Sequence, residues 1–210
     1  MLELALLAGL GYGGAVAGLY ALQDRLLFPR HATPAPTRAL PHASAWTLRA
    51  ADGVRLEGLR VPAAAAPATT VLGFAGNAWN AHDFAGFLHD CLPTADVVAF
   101  HYRGYPPSEG RPGERALGDD ARRIVAAVRD RSPDRAVVLV GVSLGSGVAA
   151  HALAGGEATA AVLVTPFDSI RAIARRQYPW APVGALLKHP FDTAARLAEA
   201  DRPTAVLYAG

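Results

Sequence analysis

Apolar and polar side chains alternate at the start of the folded part of the chain. The alternation runs through residues 46–50 and again through 54–61, and Ala51-Asp52-Gly53 separates the two stretches. A period of two is typical of strands with one buried face, and an Asp-Gly step supplies the positive φ of a tight hairpin turn. The pattern therefore predicts an antiparallel pair of strands at the start of the domain.

Short, continuous apolar runs follow after an Ala/Pro-rich connection at 62–68. Runs of this kind are typical of strands buried on both faces of a parallel sheet. They predict five strands, at 70–74, 96–100, 136–140, 160–164 and 204–208. Segments with a helical period lie between them, most clearly at 114–130, where the apolar residues share one face. Strand and helix in alternation predict an α/β fold with a mainly parallel sheet and helices on both faces.

The N-terminal segment has the length and composition of a membrane anchor. Residues 4–22 contain no charged side chain, and about 19 helical residues span roughly 28 Å, close to the hydrocarbon thickness of a bilayer. A cleaved signal peptide is the alternative, because Ala15-Val16-Ala17 fits a cleavage pattern, but no Lys or Arg precedes the apolar run. We predict a single-pass anchor. Arg25 and Arg30 follow it, and this slight positive bias favours a cytoplasmic domain.

These patterns divide the chain into three parts. Residues 1–22 are the predicted anchor, 23–45 a tether and proline-rich linker, and 46–210 the α/β domain. Within that domain, 170–190 interrupts the strand and helix alternation with several prolines. We interpret this segment as a short lid, since it is too short to form a second domain.

Composition and charge exclude several classes of function. The net charge is +2 and the basic residues are scattered, so the chain lacks the clustered patch of a nucleic-acid-binding protein. Cys91 is the only cysteine, which excludes an internal disulfide and a cysteine-based metal site. We predict neither a cofactor nor a metal.

The segment that carries chemistry is Gly141-Val142-Ser143-Leu144-Gly145. A G-x-S-x-G pattern arises easily by chance in a chain with 21 glycines, but this one lies where a predicted strand gives way to a predicted helix. A serine on such a sharp turn is strained and exposed, and flanking glycines leave room inside the turn. We therefore predict Ser143 to be a catalytic nucleophile, at the carboxyl edge of the sheet where functional loops gather.

A second glycine-containing segment, 73–80, follows the first predicted parallel strand. It is either a plain turn or one half of an oxyanion hole, in which backbone amides bind the oxygen of the tetrahedral intermediate. We assign the two donors to the amides of Asn77 and Leu144.

With these residues in view, the chain resembles the α/β-hydrolase superfamily. Within it the resemblance is to the membrane-anchored branch that includes protein depalmitoylases and lysophospholipid lipases, and it runs from about Gln23 to the last residue. It is carried by segments at 23–29, 76–78, 101–105, 108–110, 141–148 and 166–170. Two departures are Ala75, where relatives usually have histidine, and His101, where aspartate is common.

The resemblance also implies a catalytic acid after strand 204–208 and a histidine after one further strand, while the sequence ends at Gly210. We therefore expect both residues, with the last strand and helix of the fold, to be missing from this chain. Without a base the chain as given should be nearly inactive. Asp168 is an alternative acid, and His101 and His189 are the histidines that could border the site.

The resulting hypothesis is a serine hydrolase that cleaves acyl esters or thioesters through an acyl-enzyme on Ser143. The anchor favours a lipid-like or acylated substrate, which is concentrated at a membrane. The alternative is a non-catalytic, membrane-anchored hydrolase-like protein that binds a partner or a lipid.

Overall fold

Seven strands form one sheet in the order β1-β2-β4-β3-β5-β6-β7. In the computed structural model, which describes residues 1–208, the strands are β1 (Ser44–Arg49), β2 (Arg55–Val61), β3 (Thr69–Phe74), β4 (Asp96–Phe100), β5 (Ala136–Val142), β6 (Ala160–Val164) and β7 (Thr204–Leu207). β1 pairs antiparallel with β2, and β2 antiparallel with β4, whereas the other neighbours are parallel. The predicted fold class is confirmed, including the antiparallel opening pair.

Helices lie on both faces of this sheet. The helices are α1 (Leu2–Leu27), α2 (Ala81–Cys91), α3 (Glu114–Arg131), α4 (Leu144–Leu153), α5 (Ile170–Gln177), α6 (Val183–Leu186) and α7 (Thr193–Glu199), and those that pack on the strands are α2, α3 and α4. α2 packs with one group of buried side chains and α3 and α4 with another. In β4 the side chains alternate between these two cores, with Val97 and Ala99 facing α2 and Val98 and Phe100 facing α3. This is why the strand is apolar at four successive positions, 97–100.

The hairpin between β1 and β2 turns as the sequence predicted. Gly53 has φ +84°, and the amide of Ala50 donates to the carbonyl of Val54 at 2.8 Å. Glycine is suited to this position because an L side chain rarely adopts such a φ.

Helix α1 extends further than the predicted anchor. It runs to Leu27, so the first five residues of the segment 23–45 continue the helix instead of forming a tether. The extension is stabilised by the domain: Phe28 is 2% exposed and belongs to the core. By length and composition α1 is able to cross a membrane, a property that it shares with signal sequences.

The predicted lid leaves the domain and returns to it at one point. A bridge pairs Ser169 with Asp192, and the amide of Arg171 donates to the carbonyl of Pro190 at 3.1 Å. Ser169 caps α5 and Asp192 caps α7, each through a side-chain oxygen. The segment between them contains α5 and α6, and it packs along α1.

Candidate active site

Ser143 lies at a sharp turn between β5 and α4. Its φ of +49° and ψ of −114° are unusual for a residue with a side chain. The side chain is exposed, while the next residue, Leu144, is buried and begins the helix. The structure therefore has the geometry expected of a nucleophile elbow at this serine.

The two glycines of the motif are required by close backbone contacts. A Cβ added to Gly145 would overlap the carbonyl oxygen of Phe74 and lie 2.6 Å from that of Ala75. A Cβ added to Gly141 would overlap the carbonyl oxygen of Gly145. Because these neighbours are backbone atoms, they cannot move aside as a flexible side chain can. The glycines allow the turn to pack tightly against the end of β3.

Hydrogen bonds fix the turn to the sheet and to the helix. The Ser143 amide donates to the carbonyl of Val164 in β6 at 3.0 Å. The Ser143 carbonyl accepts from the amide of Ser146 at 2.9 Å and from its hydroxyl at 2.6 Å. The strained conformation is thus held by its surroundings, as is typical of functional sites.

The two amides predicted as oxyanion donors belong to the loop after β3, for Asn77, and to the first residue of α4, for Leu144. A Cβ on Gly76 would lie 3.9 Å from the Cβ of Ser143, so the loop that contains Asn77 adjoins the serine. Within residues 1–208 neither the Asn77 amide nor the Leu144 amide donates a hydrogen bond to the protein. The Leu144 amide also belongs to the N-terminus of α4, where the helix dipole favours negative charge.

The side chain of Asn77 joins this loop to the N-terminal helix, which sequence reasoning missed. Its amide nitrogen donates to the carbonyl of Leu27 at 2.7 Å, and its oxygen accepts from the Tyr105 hydroxyl at 3.0 Å. The Tyr102 hydroxyl donates to the carbonyl of Ala75 at 2.8 Å. Burial raises the pKa of both tyrosines, which therefore stay protonated as donors. The two tyrosines of the 101–105 segment support the loop where relatives usually have a histidine at position 75.

Within residues 1–208, neither the alternative acid nor a histidine is hydrogen-bonded to the Ser143 hydroxyl. Asp168 is exposed, and its backbone carbonyl accepts from the amide of Ala194 at 3.1 Å. His189 is engaged at both nitrogens, since Nδ1 accepts from the Glu114 amide at 3.3 Å and Nε2 lies 3.3 Å from Asp24 Oδ1. Within the described residues, no histidine is hydrogen-bonded to the Ser143 hydroxyl.

His101 instead lies directly after β4 and is partly buried. Its amide donates to the carbonyl of Glu57 in β2 at 2.8 Å. Burial, assisted by the nearby His82, lowers the pKa of His101 from 6.5 to about 4. Near pH 6.5 the imidazole begins to protonate in the unfolded chain, whereas in the folded protein it is still neutral.

This difference predicts a loss of stability in acid. The unfolded chain binds a proton at His101 below about pH 6.5, whereas the folded protein does so only near pH 4, so the stability present above 6.5 is lost as the pH falls. The change amounts to roughly 3 kcal/mol. Urea unfolding across this pH range should show a shallower dependence in His101→Gln than in the parent. The exposed linker variant His42→Gln is the control and should keep the parental dependence; equal curves for all three proteins would contradict the assignment.

Comparisons with known sequences agree with this architecture. A family model described as the alpha/beta hydrolase fold matches residues 70–206. A Mycobacterium tuberculosis protein named as uncharacterized is 31% identical over 206 residues, which cover 94% of this chain and 72% of the relative. The lysophosphatidylserine lipase ABHD12 of Danio rerio is 35% identical over 92 residues, 41% of this chain and 24% of the lipase.

The sheet also matches a solved structure. An alpha-beta hydrolase from Vibrio vulnificus superimposes with a TM-score of 0.72 at 20% identity, covering 89% of this chain and 74% of that chain. At this identity the likeness shows the fold. The family model begins in β3 and ends in β7, so it includes the turn at Ser143. With this match, and a relative 31% identical along nearly the whole chain, the protein belongs to the α/β-hydrolase family.

Proposed function

We propose that the protein is a serine hydrolase that cleaves acyl esters or thioesters through an acyl-enzyme on Ser143. The observation that carries this proposal is the exposed serine at φ +49°, together with the amides of Asn77 and Leu144, which donate to no group within residues 1–208. Such amides stabilise the oxyanion of an acyl-transfer intermediate, and each is typically worth about 3 kcal/mol. A plain structural turn has no need of this combination.

The reaction follows from the positions of these groups. The Ser143 oxygen attacks the acyl carbonyl carbon, its proton passes to a histidine, and the carbonyl oxygen becomes negative between the two amides. Collapse expels the alcohol or thiol, which takes the proton from the histidine, and water then releases the acid by the same steps. The proposal requires a histidine as the base and an acid that orients it, which with Ser143 would form a catalytic triad.

The proposed substrates are lipid-like or acylated molecules at a membrane. The apolar helix α1 supports an anchor, because it is hydrogen-bonded to the rest of the fold. A cleaved signal sequence would be absent from the folded protein and could make no such contact. Tyr12, which precedes the Ala15-Val16-Ala17 pattern, donates from its hydroxyl to the carbonyl of Trp180 in the lid at 3.0 Å. A lipid substrate also agrees with the name of one relative, a lysophosphatidylserine lipase.

Identification of a covalent adduct tests the proposal. The full-length protein, expressed from its natural gene and recovered in carbonate-washed membranes, should react with an alkyl fluorophosphonate. Mass spectrometry of the digest should place the adduct on the peptide that contains Ser143 and should also recover the N-terminal residues of α1. A folded protein that stays unlabelled would support the alternative, a non-catalytic protein that binds a partner or lipid. Absence of residues 1–22 from the mature protein would overturn the anchor.

A further inference from the structure

A groove lies between the N-terminal helix and the lid. One wall is formed by α1 from Val16 to Leu27, and the other by α5, α6 and the turn between them. The volume is about 370 Å³, within the usual range for small-molecule sites. The lining is apolar except for four side chains, those of Tyr20, Gln23, Gln177 and Tyr178. The groove is therefore suited to an apolar chain.

Polar contacts hold the two walls together. Gln23 donates to the carbonyl of Leu186 at 3.2 Å and accepts from the amide of Lys188 at 2.8 Å. Farther towards the N-terminus, the Tyr12 hydroxyl donates to the carbonyl of Trp180 at 3.0 Å. These bonds satisfy polar groups beside an apolar helix, which is a requirement within a lipid layer. They also fix the width of the groove.

One end of the groove lies at the depth of the proposed membrane. The wall residues 16–22 belong to the uncharged run of α1 and extend about 10 Å along the helix axis. Residues 1–15 are exposed, and Tyr12, which bonds to Trp180 of the lid, is itself 51% exposed. On the lid, Ile173 is 44% and Trp180 48% exposed, as expected for side chains that enter the membrane interface. The groove therefore opens towards lipid.

The other end of the groove is linked through Leu27 to the loop that contains Asn77. Leu27 lines the groove, and its carbonyl accepts the hydrogen bond from Asn77 Nδ2 at 2.7 Å. Asn77 follows Gly76, which adjoins the Cβ of Ser143. A chain in the groove would thus end beside the loop that carries a proposed oxyanion donor.

The charge of the lid indicates the kind of lipid. Residues 170–190 contain no Asp or Glu. The formally charged side chains in this segment are all basic, namely Arg171, Arg175, Arg176 and Lys188. Lys188 lies 3.6 Å from Asp24, whereas no salt bridge is formed by the three arginines within residues 1–208. A basic segment with exposed apolar side chains favours a negatively charged lipid surface.

We propose that this groove binds the acyl chain of a negatively charged membrane lipid and leads its ester group from the bilayer to Ser143. The inference rests on the proposed function, because Ser143 must be the nucleophile for the route to end there. It assigns α1 a second role, as a wall of the substrate site in addition to an anchor.

Photochemical crosslinking tests the groove without turnover. The full-length Ser143→Ala protein is reconstituted in phosphatidylcholine vesicles with a lysophosphatidylserine whose acyl chain ends in a diazirine. Crosslinks should concentrate in the peptides of residues 16–27 and 170–187. Val16→Trp and Ala174→Trp place an indole in opposite walls of the groove, where it takes up space that the acyl chain would occupy. Each should lower this crosslinking about tenfold, because the acyl chain loses apolar contact with the groove. Ala17→Trp changes the exposed neighbour on α1 and is the matched control that should leave it unchanged.

Several outcomes would decide against parts of the proposal. Crosslinks that are spread evenly along α1 would overturn the groove as the acyl site. Crosslinking that stays undiminished in every folded Trp variant of either wall would do so too. Stronger competition by an S-palmitoylated peptide than by lysophosphatidylserine would replace the lipid with an acylated protein. If the groove is crosslinked but Ser143 forms no fluorophosphonate adduct, the lipid site stands and the proposed function is wrong. If the adduct forms but the groove is not crosslinked, the proposed function stands and the lipid site is wrong.

Discussion

Replacement of Ser143 by alanine is expected to lower the esterase rate of the full-length protein by about 10⁵-fold to 10⁶-fold. The exposed hydroxyl at the turn between β5 and α4 is the group that would form the acyl-enzyme, and alanine has no atom to replace it. The oxyanion amides would remain and account for any residual rate. Release of p-nitrophenol from a short-chain ester, together with fluorophosphonate labelling, measures the effect.

The fold should not change in this variant. Ser143 is exposed, and its backbone amide and carbonyl make the hydrogen bonds that fix the turn, so the loss of Oγ removes none of them. Thermal unfolding should therefore match the parent within about 1 kcal/mol. Ser132→Ala, at the C-terminal end of α3, is a serine control and should keep full activity. A Ser143→Ala protein that still hydrolyses the ester at the parental rate would remove the proposed nucleophile.

The strands could be predicted from sequence because their burial leaves a local pattern. The apolar runs at 96–100 and 160–164 have the same bounds as β4 and β6. The predicted strand at 136–140 is two residues short. Gly141 and Val142 still pair with β6, although they belong to the motif that predicted the turn. Pairing continues there because the change of direction occurs at Ser143 itself, where φ becomes positive.

The contacts between α1 and the domain could not be predicted in the same way. Gln23 and Leu186 are 163 residues apart, and no periodicity within either segment indicates that they meet. The same is true of Asn77, whose side chain bonds to Leu27 while its backbone amide was predicted as a donor. Sequence pattern identifies the turn at Ser143 and its neighbouring loop. It does not show that helix α1 supports that loop.

A buried ion pair lies beneath the loop that follows β4. Arg103 donates from Nη2 and Nε to the Asp120 carboxylate of α3, both at 2.6 Å, and the two side chains are 8% and 6% exposed. Asp52 approaches Arg103 at 2.8 Å from the hairpin but is 55% exposed. Burial raises the pKa of Asp120, and this effect outweighs the opposing effect of Arg103. Burial of the pair therefore costs free energy of folding. Removal of one partner costs more, because it leaves the other charge buried and unpaired.

Asp120→Ala should destabilise the protein by about 3 kcal/mol, because it leaves the Arg103 guanidinium buried with only the exposed Asp52 as a partner. For a domain of this size, the expected fall in Tm is about 6–12 °C, measured by thermal unfolding. Asp119→Ala is a matched control on the same helix, since Asp119 pairs at 2.6 Å with Arg122 but both are about half exposed. Its cost should stay within about 1 kcal/mol. If the two variants lose equal stability, burial of the guanidinium is not the cause, and the 101–105 segment owes its place to the tyrosine contacts with the Ala75 and Asn77 loop alone.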